Sequence, residues 1–183
     1  MEPSGDMTKS IGSGWTIAGT AAGVVLLDQL SKGWIERNLP LYEALTPLPA
    51  LSDFFSITHF TNTGAAFGLL RDQNILFVAI GLVVVASAVI YARYLPHDRR
   101  LVQIALGLQL GGALGNMIDR VRQGHVTDFL YFHNLPLINR PWPAFNVADM
   151  AIVLGVILLA LFMLTYKEPQ PAAPAVEEQP EAQ

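Results

Sequence analysis

Four stretches of this chain are apolar for roughly the 20 residues that a helix needs to cross a bilayer. They run from Trp15 to Trp34, Asn74 to Leu95, Leu101 to Ile118 and Ala144 to Tyr166. Asp28 and Lys32 interrupt the first, and Asp149 alone interrupts the last. The pattern predicts an α-helical polytopic membrane protein with spans at about 15–34, 74–95, 101–118 and 144–166. Residues 1–14 form a short N-terminal segment ahead of the 15–166 domain. Between the spans lie two longer polar segments. Phe54 to Thr61 is aromatic and β-branched and reads as a short strand ended by the turn signal "NTG". "HVTDFLYFH" (125–133) reads as another, followed by a proline-rich irregular stretch.

Four spans bring both termini to one side. The tight second loop, "RYLPHDRR", holds Arg93, Arg99 and Arg100, and basic density in a short loop marks the cytoplasmic face. The first and third loops then lie outside, with Trp34 and Trp142 suited to the interfacial belt. This topology places the costly polar residues at one depth. Asp28 and Lys32 fall at the outer end of the first span, Asn116 and Asp119 at that of the third, and Asn146 and Asp149 at that of the fourth. Asn62 and Asp128 lie in the outer loops. The inner ends show nothing comparable, and polar groups inside a membrane demand partners or function.

Each of these residues also has a purely structural reading. Asp28 and Lys32 are an i, i+4 pair in the favourable acid-first order. Asn146 followed by Asp149 resembles a helix N-cap with an acidic third residue. Asp119 adjoins Arg120 and can pair with it or with another base. Gly107, Gly111 and Gly115 recur every fourth residue, a stripe suited to close helix packing. Gly112, Asn116 and Asp119 form an adjoining face that turns polar toward the outer end. Asp128 has the weakest structural duty: it sits in a strand-like apolar stretch, grouped by alternation with Val126 and Leu130.

Composition narrows the chemistry. The chain of 183 residues is 52% hydrophobic and 14% charged, with a mean hydropathy of +0.40. Its net charge of −4 comes from residues 168–183, which hold four glutamates and no base, while residues 1–167 balance. The Pro/Ala/Glu tail at 167–183 has too little apolar surface to fold and is expected to be disordered. No basic surplus points to nucleic acid. The absence of cysteine excludes disulfides, thiolate metal sites and a cysteine nucleophile. No H-E-x-x-H motif suggests zinc, and Ser31 beside Lys32 cannot form a dyad because neighbours on a helix point apart. No metal or cofactor is expected. The first apolar run ends in charged residues rather than a small-residue cleavage site, so it reads as a retained anchor. What remains is a group of carboxylates at a membrane surface. Two close carboxylates share one proton, so that the ionised member activates water while the protonated member polarises a carbonyl.

"DQLSK" in the first span, "NTGAAFG" in the first outer loop, "GGALGNMIDRVRQGHVTDF" after the third span and "FNVADM" opening the fourth together resemble lipoprotein signal peptidase, the bacterial signal peptidase II. The resemblance covers about residues 15 to 166. It implies four transmembrane helices with a small periplasmic β-sheet and a periplasmic lid helix, to which "NTGAAFGLL" would contribute. It implies an aspartic endopeptidase of the bacterial inner membrane, multi-pass, with both termini cytoplasmic and the site on the periplasmic side. The substrate implied is a diacylglyceryl-modified prolipoprotein, cleaved just before its lipidated cysteine. The resemblance assigns catalysis to Asp128 and Asp149, and site support to Asp28, Lys32, Asn62, Asn116, Asp119, Arg120 and Asn146, with Gly112 on the same polar face. Globomycin is the implied inhibitor, membrane lipid the surroundings and a monomer the expected state.

Two other functions use the same residues differently. A proton-coupled transporter would spread polar groups through the membrane depth, with access from both sides. A scaffold with structural ion pairs would lose stability rather than activity when its aspartates change. The nine-residue spacing of Asp119 and Asp128 argues against those two as a pair, since a continuous helix would separate them by about 13 Å. Gly124 signals a break between them, leaving Asp119 with the third span and Asp128 free to meet Asp149.

Overall fold

The computed structural model describes residues 6–64, 73–92, 99–135 and 140–166, with side chains from residue 14 onward. Among these residues four α-helices carry the fold: α1 (Asp6–Asn38), α2 (Asn74–Ala92), α3 (Arg100–Gln123) and α4 (Val147–Thr165). Of these, α2, α3 and α4 are long and apolar enough to cross a membrane. At 33 residues α1 is the longest, extending the expected 15–34 span at both ends. Likewise α3 runs to Gln123 rather than Ile118, which puts Asp119 and Arg120 on its last two turns. The proposed lid beyond Gly64, the loop containing Arg93 and the acidic tail lie outside the described residues.

The expected strands form as β2 (Phe55–Asn62) and β3 (Val126–Phe132), joined antiparallel. A two-residue strand that the sequence pattern did not reveal, β1 (Ala44–Leu45), completes a sheet of order β1-β2-β3. A bulge between Ile57 and Phe60 shifts the register, so that Phe60 faces Asp128 and Asn62 faces Val126. Asn62 thereby comes to lie diagonally across from Asp128, on the same sheet face.

α3 is the central helix and packs against the other three. Its glycines explain how. The stripe at Gly107, Gly111 and Gly115 faces α1, and a Cβ at Gly111 would stand 2.8 Å from the Ala21 carbonyl oxygen. Gly112 turns the other way, where a Cβ would collide with the Ala148 carbonyl and Ile152 of α4. Gly112 thus supports the polar face by admitting α4, and it does not line a cavity. The helix stops at Gly124, whose φ of 80° is left-handed and whose N–H caps the Arg120 carbonyl at 3.1 Å.

The interior is inverted relative to a soluble protein. The largest fully buried side chains are all polar, Lys32, Gln103 and Asn146 foremost. Ile75, Val83 and Leu164 stand among many exposed apolar residues on the outside, as expected of helices whose surroundings are lipid. One apolar cluster, Ile17, Val102 and Leu106, closes one end of the bundle. Another, Ile35, Leu39 and Phe129, seats the sheet on the opposite end. Between them lies the polar cluster.

Replacing Gly112 by Val should destabilise the fold by about 1–3 kcal/mol, because backbone on the facing helix cannot yield to the added atoms. Gly19→Ala, where nothing lies within 4 Å of the new Cβ, should leave stability unchanged or raise it slightly. Thermal unfolding in detergent micelles measures both.

Candidate active site

Lys32 anchors the cluster. Its side chain is fully buried, and its three N–H donors go to Asp28 Oδ2 at 2.8 Å, Asp119 Oδ2 at 2.9 Å and Asn116 Oδ1 at 3.0 Å. Both carboxylates are also fully buried and spend their remaining capacity locally. Asp28 Oδ1 accepts the Ala148 N–H at 2.9 Å, in the first turn of α4. Asp119 accepts from Gln29 Nε2 at 2.9 Å and from the Thr127 N–H at 3.3 Å. A buried charge is tolerable only when paired and hydrogen-bonded in this way. The Asp28–Lys32 pair is therefore a structural pin among α1, α3 and α4, and it faces no cavity.

Of the two partners open to Asp119, Arg120 or another base, the structure supplies the second, because successive helix residues diverge by about 100°. Arg120 instead donates to the Gly64 carbonyl at 3.1 Å and lies over the Phe77 ring, 4.7 Å from its centroid. Asp119 takes Lys32 from the opposite helix.

Lys32 also sets the polarity of the next layer. An ammonium only donates, so the Asn116 carbonyl must face it and the Asn116 amide N–H group points away. That group donates to Asp149 Oδ1 at 2.8 Å. A parallel constraint acts at Asn146, the N-cap of α4. Its side-chain oxygen accepts the Asp149 N–H at 3.0 Å, while Asp149 Oδ2 accepts the Asn146 N–H at 3.2 Å. This is the capping box suggested by the sequence. With its oxygen committed to the cap, Asn146 turns its Nδ2 to Asp128 Oδ1 at 2.7 Å and to Asn116 Oδ1 at 3.1 Å. Asn62 donates to the other oxygen of Asp128 at 2.9 Å. Asp128 and Asp149, 21 residues apart in the chain, thus share Asn146 as a common partner, and Asn116 links Asn146 to Asp149 a second time.

The backbone fixes this meeting as well. Leu130 and Phe145 exchange a pair of backbone hydrogen bonds at 2.9 and 3.1 Å. The chain leaving β3 therefore returns beside it just before α4 begins.

Both aspartates line one cavity of ≈ 620 Å³. Asn62, Asn116 and Arg120 stand at its polar end, and Met150, Val153, Leu154 and Ile157 continue it along α4 as an apolar wall. Burial, and then the negative charge of Asp149, push the Asp128 carboxyl up to about 7, against the opposing hydrogen bonds from Asn62 and Asn146. Asp128 is therefore poised to hold a proton near neutral pH. Among the described residues no cluster of metal-ligating side chains occurs.

The residues that sequence reasoning passed over are Gln29, Thr127 and Phe77. Gln29 bridges Asp28 and Asp119, Thr127 bonds Asp119 through its N–H, and Phe77 lies beneath Arg120. Adjacency to Asp28 and Asp128 was the available signal for the first two. Phe77 carried none, since it sits in an unbroken apolar run.

Comparison with known proteins identifies the family. A family model described as signal peptidase (SPase) II matches residues 20–165. A lipoprotein signal peptidase of Moorella thermoacetica is 47% identical over 141 residues, covering 77% of this chain and 87% of that protein. One from Pseudomonas syringae pv. tomato is 47% identical over 150 residues, covering 79% and 83%. Two solved structures, each described as a bacterial membrane enzyme studied by the in meso method, share the fold. The first, at 2.3 Å resolution, has a TM-score of 0.74 and 30% identity, covering 85% of this chain and 94% of its own. The second, at 1.9 Å, has a TM-score of 0.71 and 31% identity, covering 83% and 94%. The match takes in the residues that bring Asp128 and Asp149 together, and the chain belongs to the signal peptidase II family.

Proposed function

We propose that the chain is an aspartic endopeptidase that removes the signal peptide from diacylglyceryl-modified prolipoproteins, cutting just before the lipidated cysteine. The observation that carries this reading is the pair of aspartates at the mouth of an apolar cavity, joined through two asparagines. The relatives' shared name, lipoprotein signal peptidase, supports the substrate class. In this reading α1 is the fourth span of a monomer in the bacterial inner membrane, both termini are cytoplasmic, and the carboxylates lie at the periplasmic surface. A substrate held in the bilayer by its acyl chains and apolar signal segment would reach them laterally, its apolar parts against Val153, Leu154 and Ile157.

The chemistry follows from the differing surroundings of the two carboxyls. Asp128, its carboxyl raised to about 7, is the protonated member and donates a hydrogen bond to the scissile carbonyl oxygen. Asp149, at the positive end of α4, is the ionised member and takes a proton from water as the water oxygen attacks the carbonyl carbon. The Asp128 proton passes to the developing oxyanion. On collapse, the carbon–nitrogen bond breaks, the hydroxyl proton returns to Asp128 and the Asp149 proton goes to the departing amine. Asn62 and Asn146 keep Asp128 aimed, while Lys32 acts at a distance by orienting Asn116. Globomycin would block the cleavage by occupying the same cavity.

Asp128→Asn and Asp149→Asn should each reduce release of the signal peptide from a diacylglyceryl prolipoprotein by at least about a thousandfold, with helicity and membrane insertion unchanged. Substantial turnover in either variant would sink the dyad.

The pH dependence has a definite sign. Because the mechanism needs the proton on Asp128, cleavage should fall as pH rises through about 7. Stability should follow the same direction. A carboxyl raised from its ordinary 3.8 binds its proton more tightly in the folded state, so stability declines between 3.8 and about 7 and levels off above. Asp128→Asn should lessen that decline, which melting temperatures at pH 5 and pH 8 would reveal.

A further inference from the structure

Behind Asp128, on the opposite face of β3, a second polar cluster joins three elements and plays no part in the mechanism above. Its centre is Glu36, near the C-terminal end of α1. Glu36 Oε1 accepts from Thr127 Oγ1 at 2.7 Å, from Arg122 Nη2 at 2.8 Å and from Gln123 Nε2 at 3.3 Å. Arg122 Nη2 also reaches Oε2 at 2.9 Å, and Gln123 Nε2 donates to Thr127 Oγ1 at 3.0 Å. A surface ion pair between Glu36 and Arg122 would by itself contribute little. What gives this one consequence is Thr127, whose side chain is fully buried.

Thr127 is held from three directions. Its hydroxyl goes to Glu36 on α1, its N–H to Asp119 on α3, and its carbonyl accepts from Asn146, the cap of α4, at 3.4 Å. It is also the residue immediately before Asp128. Alternation along a strand sends its side chain away from the cavity while Asp128 faces in. Any roll or slide of β3 that displaces the Asp128 carboxyl must therefore break a hydrogen bond on the far side. We propose that Glu36 and Thr127 are positioning residues, a latch behind the strand that holds the Asp128 carboxyl in register with Asp149. The proposal rests on the reading of Asp128 as one of the dyad. Neither residue touches the cavity, so their effect passes entirely through the β3 backbone.

The test uses the full-length protein in micelles with a diacylglyceryl prolipoprotein as substrate. Thr127→Val keeps the shape and branching of the side chain and removes only the hydroxyl. Thr127→Ser keeps the hydroxyl, and Glu36→Ala removes the acceptor from a site at the protein surface. Thr127→Val and Glu36→Ala should each lower kcat roughly ten- to a hundredfold, since small misplacements of reacting groups carry costs of that order. KM should stay within about twofold, because the apolar cavity is untouched. Thr127→Ser should recover most of the rate. The double variant should be little worse than either single one, as expected of two residues acting through one contact. The alkaline limb of the pH profile should move to lower pH as Asp128 loses its fixed place beside Asp149.

Wild-type kcat and pH profile in both Thr127→Val and Glu36→Ala would overturn the latch. So would losses that merely track the fraction of folded protein, with kcat per folded molecule unchanged. Asp128→Asn, measured alongside, separates the two levels. Activity retained there removes the dyad itself, whereas an inactive Asp128→Asn with a fully active Thr127→Val removes only the latch.

Discussion

A single ammonium group, completely withdrawn from solvent, organises this protein. Lys32 has three donors and spends them on Asp28, Asp119 and Asn116. Two of those partners sit on α3 and one on α1, and Asp28 in turn receives an N–H from the first turn of α4. Three helices are thus tied together by charges that cannot separate without leaving an ion buried and unpaired. Replacing such a cluster by well-packed apolar residues often leaves stability unchanged, so its value here lies in orientation. A cation fixes which way an asparagine amide must point, and Asn116 transmits that choice to Asp149.

The same economy governs the start of α4. Asn146 and Asp149 form a reciprocal cap, a feature that any helix could use for stability alone. Here the cap leaves one amide N–H group free to turn toward Asp128, and one aspartate at the positive end of a helix with an open cavity beside it. The structural reading and the functional reading of these residues are therefore compatible. Capping fixes Asp149 in place, and a carboxylate that is fixed need not reorganise when charge develops during a reaction.

Close approach is what makes these distances possible. Gly112 brings the α4 backbone against α3, and Gly115 leaves room for the Asp28 carboxylate, since a Cβ there would stand 2.5 Å from Oδ2. The sheet is fastened to this frame by Thr127 on one side and by the Leu130–Phe145 backbone pair on the other. Asp128 is thereby carried by a strand whose position is determined by all the helices around it except α2. That remaining helix has no buried residue of its own among those described. It contributes Phe77 to the cavity, under the Arg120 guanidinium.

The order of apolar runs, the break at Gly124, the two principal strands and the cap of α4 were legible in the sequence. Each is decided by interactions within a few residues: period, left-handed backbone tolerance and side-chain capping. The gathering of polar residues into one cluster was legible too, because helix length and chain reversal alone set which helix ends meet. Partner choice was not. The sequence left Asp119 to Arg120 or another base; the folded chain supplies Lys32, 87 positions away in the sequence, and sends Arg120 to Gly64 and Phe77. The strand β1 and the roles of Gln29, Thr127 and Glu36 likewise emerged only in three dimensions. Hydrogen-bond partners between helices depend on rotation about each helix axis and on a few ångströms of separation, which glycine contacts set jointly across the bundle. The sequence by itself determined which residues would be costly to bury; only the tertiary structure decided which of them neutralise one another and which pair is left facing the cavity.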